Sequence, residues 1–469
     1  MKIHFISIGG SAMHSLALAL KNNGVEVTGS DDEIFEPSKS RLAHAGILPD
    51  SMGWYPERIH KKLDAIILGM HARADNPELI RANELGIPVY SYPEYIYHLS
   101  HNKRRVVIGG SHGKTTCTSM IMHVLQFHGY DFDYLVGASL EGFSNSVRVS
   151  NSAPIMIIEG DEYLSSPIDR RPKFIHYKAQ LALLTGIAWD HVNVFPTFDS
   201  YKQTFTDFLS SLDNPSVLVY CGEDRVLKEL IEDFEPKDET FRIKKIAYSL
   251  PSHRVANGKT ELLEENGLQT SLQIFGNHNL LNLEGAWLIL KELGLNRNQF
   301  LQAISSFKGA SKRLELVAQS GSSTVYLDFA HAPSKIKASL DALKHQFPGR
   351  KLIAIMELHT FSSLNVGFIQ EYFGSMVAAD LALVYFNPHT LEHKKLPPLS
   401  MEAVKNAFGR DDLVVMNNSD QVKEYVLSLN LNHSNLVFMS SGNFDGIDIR
   451  KFSQELMGII SDGSINSGL

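Results

Sequence analysis

The sequence predicts an α/β protein of three domains built on parallel sheets, and three observations lead there. Its 469 residues amount to about three times the usual domain size. A short β-branched or Leu-rich run, a turn holding Gly, Asp or His, and a helical stretch succeed one another many times, the alternation that lays helices over parallel strands. Nearly all the polar motifs fall directly after such a run, at the sheet edge where ligands bind in α/β folds.

Taken in order, the runs Ile3–Ile8, Val25–Thr28 and Ala65–Leu68 read as strands of a first unit that closes near Val89. The polar, basic stretch from His98 to Arg105 reads as a linker. A second unit has strands at Arg105–Ile108, Ile155–Ile158, Leu181–Thr185 and Val217–Tyr220, then a charged, irregular region from about Glu223 to Thr270. After Lys308–Lys312 a third unit places strands at Val325–Leu327, Leu352–Met356, Leu381–Tyr385, Leu413–Met416 and Leu436–Met439. The expected domains are therefore 1–101, 102–312 and 313–469.

Composition removes several function classes. Forty-four Lys and Arg against 52 Asp and Glu give 44 − 52 = −8, without long runs, so no global basic field holds a nucleic-acid backbone. Anions must be bound locally. Cys117 and Cys221 form no C-x-x-C pair, which argues against a disulfide framework, a zinc ribbon or a redox motif. They read as small buried apolar residues. Gly9, Gly10 and His14 interrupt the apolar start, no cleavage pattern follows, and no later run is long enough to span a bilayer. A cytoplasmic protein with neither nucleic-acid nor membrane partners is the expectation.

The most informative motif is Gly109-Gly110-Ser111-His112-Gly113-Lys114-Thr115-Thr116, between a strand and an apolar-periodic helix reaching about His128. Backbone N–H groups of such a turn face a phosphate chain, Lys114 reaches the β- and γ-phosphates, and a threonine hydroxyl ligates Mg²⁺. The strict P-loop spacing wants glycine where Ile108 stands, so the loop is an abbreviated form. Next, Glu159, Asp161 and Glu162 crowd three carboxylates into four positions. They repel one another unless a cation sits among them, although a solvated acidic turn is an open alternative. Asp190-His191 places an imidazole beside a carboxylate, a pairing that can complete a metal shell.

Further along, His278, Asn279 and Asn282 offer an imidazole and amides to a base, with helix capping as the competing reading. Arg313, Asp328 and His331 offer a cation for phosphate and an acid to position it, or else a surface ion pair. At the front, Gly9, Gly10 and Ser11 follow the first strand and Ser30-Asp31 ends the second. That is a dinucleotide fingerprint lacking its third glycine, better suited to a diphosphate than to a nicotinamide cofactor.

Together these motifs resemble the Mur ligase family, ATP-dependent enzymes that join an amino acid or peptide to a UDP-muramoyl carboxylate. The resemblance covers essentially the whole chain. It implies a Rossmann-like UDP-binding domain, a central P-loop ATPase domain with a parallel sheet, and a C-terminal Rossmann-like domain that binds the peptide. It further implies ATP held by Gly110 to Thr116, His278, Asn279, Asn282, Arg313, Asp328 and His331, and Mg²⁺ held by Thr115, Glu159 and His191. Lys114, Glu159, His191, Arg313 and Asp328 would be catalytic. UDP-N-acetylmuramate would meet Gly9, Gly10, Ser11, Ser30, Asp31 and Asn76, the last in the segment Ala74-Asp75-Asn76-Pro77-Glu78.

Two branches of the family take this unsubstituted sugar. One adds L-alanine, the other a recovered L-alanyl-γ-D-glutamyl-meso-diaminopimelate tripeptide. The stretch from Glu162 through Tyr177, the long interval from Glu159 to His191, and Met439 to Gly446 are similar to the second. The chain departs from many relatives at His331-Ala332-Pro333 and at Met356-Glu357-Leu358-His359, and no lysine matches the carbamylated one of other branches. Monomer and homodimer stay open. An L-alanine ligase and a non-catalytic nucleotide-binding regulator are the alternatives.

Overall fold

The computed structural model describes residues 1–70, 72–137, 140, 142–166, 168–189, 194–236 and 238–466. The chain gathers into two compact units. One comprises Met1–Ile187, Tyr201–Ser249 and Glu284–Ala303; the other comprises Ala188–Ser200, Leu250–Leu283 and Ile304–Leu469.

The first unit holds two sheets. In the smaller, Glu26–Ser30, Lys2–Ile6, Ala65–Leu68 and Val89–Ser91 lie side by side, all parallel. Ile6, Ile66 and Leu68 pack beneath Leu79 and Ala82 of the helix Pro77–Glu84. In the larger sheet the order is Ile243–Tyr248, Ser216–Cys221, Leu181–Leu184, Arg104–Gly109, Ile155–Glu159, Asp133–Leu135 and Val147–Arg148. Only the last of these runs antiparallel to its neighbour. Val106, Val107 and Ile108 are wholly buried, as a strand covered on both faces requires, and each contributes on the order of 1.5–3 kcal/mol by leaving water.

The second unit carries a six-stranded sheet ordered Glu315–Ser320, Ser323–Asp328, Ser434–Met439, Lys351–Leu358, Leu381–Phe386 and Val414–Met416. Its central strand alternates strictly. Leu352, Ala354, Met356 and Leu358 pack on one face and Ile353 and Ile355 on the other, so one strand with a side-chain period of two serves two cores. A three-stranded antiparallel sheet, His253–Ala256, Lys259–Leu263 and Gln269–Leu272, belongs to the same unit.

Two expectations need correction. The stretch 98–105 is not a linker throughout, since His98 lies in the helix Tyr92–Ser100 and Arg104 opens a strand, leaving only 101–103 between. The region 223–270 is not irregular: it contains the helix Arg225–Glu232, the edge strand Ile243–Tyr248 and most of the antiparallel sheet. Among the described residues no helix is long and apolar enough to cross a membrane.

Candidate functional site

The strand Arg104–Gly109 feeds the phosphate-loop motif, and the helix Lys114–Phe127 leaves it. Two glycines make the turn possible. Gly110 has φ +125° and presses so closely on Thr185 that no Cβ fits, while Gly113 caps the helix in the left-handed region at φ +78°. The helix has no acid in its first turn, so its positive end is left to an incoming anion.

Around that helix start the side chains converge. Lys114 donates to the Gly110 carbonyl at 2.8 Å and to Glu162 Oε2 at 2.7 Å. Tyr201 donates to Glu162 Oε1 at 3.0 Å, and its oxygen lies 2.8 Å from Ser111 Oγ. The Thr115 hydroxyl donates to Glu159 Oε1 at 2.6 Å, and the Gly137 N–H to Glu159 Oε2 at 2.8 Å. Burial, followed by the charge of Asp161, pushes the Glu159 carboxyl above its ordinary range against those two bonds. Burial also works to discharge Lys114, but Glu162 and Asp161 outweigh it and hold the ammonium charged. Thr116 is buried on the same helix, and His112 accepts from the Thr185 hydroxyl. His191, with its neighbours Asp190 and Asn193, lies outside the described residues.

The front motif forms its own cluster in the same unit. Gly9 N–H donates to Asp31 Oδ2 at 2.7 Å, Gly10 stands immediately before the helix Ser11–Asn22, and Ser30 donates to Glu78 Oε1 at 2.6 Å. Burial raises Asp31 to about 6, helped by the neighbouring Asp32 and opposed by the Gly9 bond. Asn76 caps the helix Pro77–Glu84, accepting from the N–H groups of Glu78 and Leu79. Glu78, which closes the segment Ala74–Glu78, is wholly buried. His4, Ser30 and the Tyr55 N–H all bond it, and together they overcome the burial cost and keep its pKa low.

In the second unit, Asp328 ends its strand buried, accepting from Ser339, with burial raising its pKa. The Arg313 guanidinium lies 4.6 Å from the Phe329 ring centroid, and His331 Nδ1 lies 2.8 Å from the Phe329 carbonyl. His278 and Asn279 open the helix Asn277–Glu292; Asn279 donates back to the Phe275 carbonyl at 2.9 Å, and Asn282 is buried one turn on.

Family signatures and known relatives match the chain over most of its length. "Mur ligase family, catalytic domain" covers residues 2–104, "Mur ligase middle domain" 108–290 and "Mur ligase, glutamate ligase domain" 312–442. A UDP-N-acetylmuramate--L-alanine ligase of Persephonella marina is 32% identical over 379 residues, 79% of each chain. The chain belongs to the Mur ligase family. This Mur ligase is also 25% identical over 456 residues, 95% of its length and 97% of the relative's, to a UDP-N-acetylmuramate--L-alanyl-gamma-D-glutamyl-meso-2,6-diaminoheptandioate ligase of Haemophilus influenzae. The crystal structure of a UDP-N-acetylmuramate-alanine ligase from Thermotoga maritima shares its fold, with TM-score 0.68, 22% identity and coverage of 99% and 100% of the two chains. This Mur ligase is thus an ATP-dependent, amide-bond-forming enzyme of peptidoglycan synthesis.

Sequence reading undervalued Glu162 and Tyr201. Glu162 was counted among three carboxylates awaiting a cation, and the cation it holds is Lys114. Elsewhere in the unit, Glu94, Asp169 and His176 lie close enough to surround a metal, but Arg171 already neutralises both acids, at 3.3 Å and 2.8 Å.

Proposed function

We propose that this Mur ligase joins L-alanyl-γ-D-glutamyl-meso-diaminopimelate to the lactyl carboxylate of UDP-N-acetylmuramate in the cytoplasm. In this reading 1–101 binds the UDP-sugar, 102–312 the nucleotide and 313–469 the peptide. Gly9, Gly10, Ser11, Ser30, Asp31 and Asn76 lie along the sugar nucleotide. Gly110 to Thr116, His278, Asn279, Asn282, Arg313, Asp328 and His331 bind ATP.

The observation that carries the chemistry is the Thr115–Glu159 contact of 2.6 Å beside a buried, charged Lys114. A hydroxyl and a carboxylate held together at a helix start are the oxygen donors that Mg²⁺ prefers, and the loop has no room for a Cβ at Gly110, so these residues fit a magnesium triphosphate. His191 would complete the shell. Bound there, the metal supplies charge neutralisation between two anions that must meet.

The lactyl carboxylate oxygen attacks the γ-phosphorus, the bond to the ADP oxygen breaks, and an acyl phosphate forms. The peptide amine then attacks the acyl carbon, inorganic phosphate leaves and the amine proton passes to solvent. Lys114 and the loop N–H groups stabilise charge on the transferring phosphoryl group, while Arg313 and Asp328 orient the nucleotide.

The tripeptide is supported by the segment 162–177, which follows the metal carboxylate directly and is similar to the peptide-adding branch. It folds back on itself, with Ser165 N–H and Oγ both donating to the Arg171 carbonyl at 2.9 Å and 2.8 Å. The Haemophilus relative matches 95% of the chain. A second reading, L-alanine as the amine, is favoured by the 32% identity to the Persephonella enzyme.

The test supplies UDP-N-acetylmuramate, ATP and Mg²⁺ with either amine and follows ADP release and product mass. Tripeptide turnover with negligible alanine turnover is the expected result, and the converse overturns the choice of amine. Lys114→Ala should lower kcat by about 10²–10³-fold while the protein stays folded.

A further inference from the structure

At the amino ends of the strands Arg104–Gly109, Leu181–Leu184, Ser216–Cys221 and Ile243–Tyr248 lies a cavity of about 700 Å³. That volume is within the range of small-molecule sites. It sits at the opposite end of the sheet from the phosphate loop. The strand Arg104–Gly109 spans the distance with six residues, about 20 Å.

Its lining is charged in one sense. His101, Lys103, Arg104, Arg242 and Lys244 contribute, and among the described residues no Asp or Glu lines it. Two of these cations are committed elsewhere: Lys103 Nζ lies 2.6 Å from Asp133 Oδ2, and Lys244 Nζ lies 2.8 Å from Glu292 Oε1. The guanidinium of Arg104 has no hydrogen bond or ion pair among the described residues, and Arg242 gives one N–H to the Glu239 carbonyl. Each guanidinium carries five donors, so most of this capacity is unspent.

An independent feature marks the same place. Ser216 lines the cavity at 5% exposure, and its hydroxyl is buried with no hydrogen-bond partner. A buried polar group left unpaired costs stability, so such a group in a polar cavity marks a place for a ligand acceptor. Two planar guanidinium groups and a hydroxyl donor suit phosphate oxygens, which accept bidentate bonds.

We propose that this cavity binds a small phosphorylated anion carrying at least two negative charges, at a site separate from the phosphate loop. The test is titration calorimetry with inorganic pyrophosphate on the full chain in metal-free buffer, with no other phosphate or polyanion present. Lys114→Ala should keep the cavity's binding while losing that of the loop. Arg104→Glu combined with Arg242→Glu should weaken the remaining binding at least tenfold, and Ser216→Ala about threefold or more. Both arginines are exposed, so the charge reversals leave the core intact. If the double variant does not fold, Arg104→Gln carries the test, with a loss of threefold or more expected. Binding that survives these arginine changes within twofold overturns the proposal, and so does a Lys114→Ala protein that binds no pyrophosphate.

Discussion

Lys114 Nζ and Glu162 Oε2 stand 2.7 Å apart in a pair whose carboxylate is 1% exposed. This carboxylate holds the lysine that the proposed reaction turns toward phosphate. Removing one partner of a buried pair leaves the other charge uncompensated, so Glu162→Ala should cost about 3–5 kcal/mol of stability. Urea melts check this. Adding a nonhydrolysable triphosphate with Mg²⁺ should recover more stability in the variant than in the parent, because phosphate oxygens restore the missing charge. Unchanged midpoints would show that the pair contributes nothing in solution.

Glu159 bridges Thr115 and Gly137. Glu159→Gln keeps the shape and removes the charge that a divalent cation needs. The Mg²⁺ concentration at half-maximal ADP release should rise tenfold or more, and excess metal should restore activity only in part. A magnesium profile identical to the parent's would remove Glu159 from the metal site.

Asp31 should tilt the pH dependence of stability. Its pKa rises from an ordinary 3.8 to about 6, chiefly through burial. Folding therefore favours the protonated form: the contribution is full below pH 3.8, declines as pH rises, and is gone above about 6, a span of about 2–3 kcal/mol. The difference between parent and Asp31→Asn in denaturant melts from pH 4 to 7 isolates this change. A flat difference would mean that the carboxyl titrates as an ordinary aspartate.

For His278 the sign reverses. Burial pushes its imidazole from 6.5 down to about 4, so the ring stays neutral in the folded chain while the unfolded chain takes up a proton. Its contribution is present above pH 6.5 and is lost as pH falls toward 4. Imidazole NMR should show a neutral His278 at pH 5.5, and a midpoint near 6.5 would contradict the lowered pKa of this half-buried ring.

Motifs governed by local geometry were legible in the sequence. The turn Gly109–Gly113 needs left-handed backbone and the helix after it needs apolar spacing, and both lie within a few adjacent residues. Asp328 was legible because a buried run precedes it. What depends on contacts distant in the chain was not. Glu162 meets Lys114 across 48 positions and Glu78 meets His4 across 74, and neither spacing leaves a periodic trace. The edge strand Ile243–Tyr248 was hidden for another reason: Lys244 and Lys245 interrupt its apolar run, as suits a sheet edge that must not recruit another chain.

Gly110 and Thr185 sit so close that the hydroxyl of one takes the space a side chain of the other would fill, and that hydroxyl also reaches the His112 carbonyl. Shrinking the threonine alone would not release the glycine, because its φ of +125° is strained for any L side chain and the Thr185 backbone nitrogen stands 3.0 Å from where a Cβ would sit. Evolution can therefore vary residue 185 far more freely than residue 110.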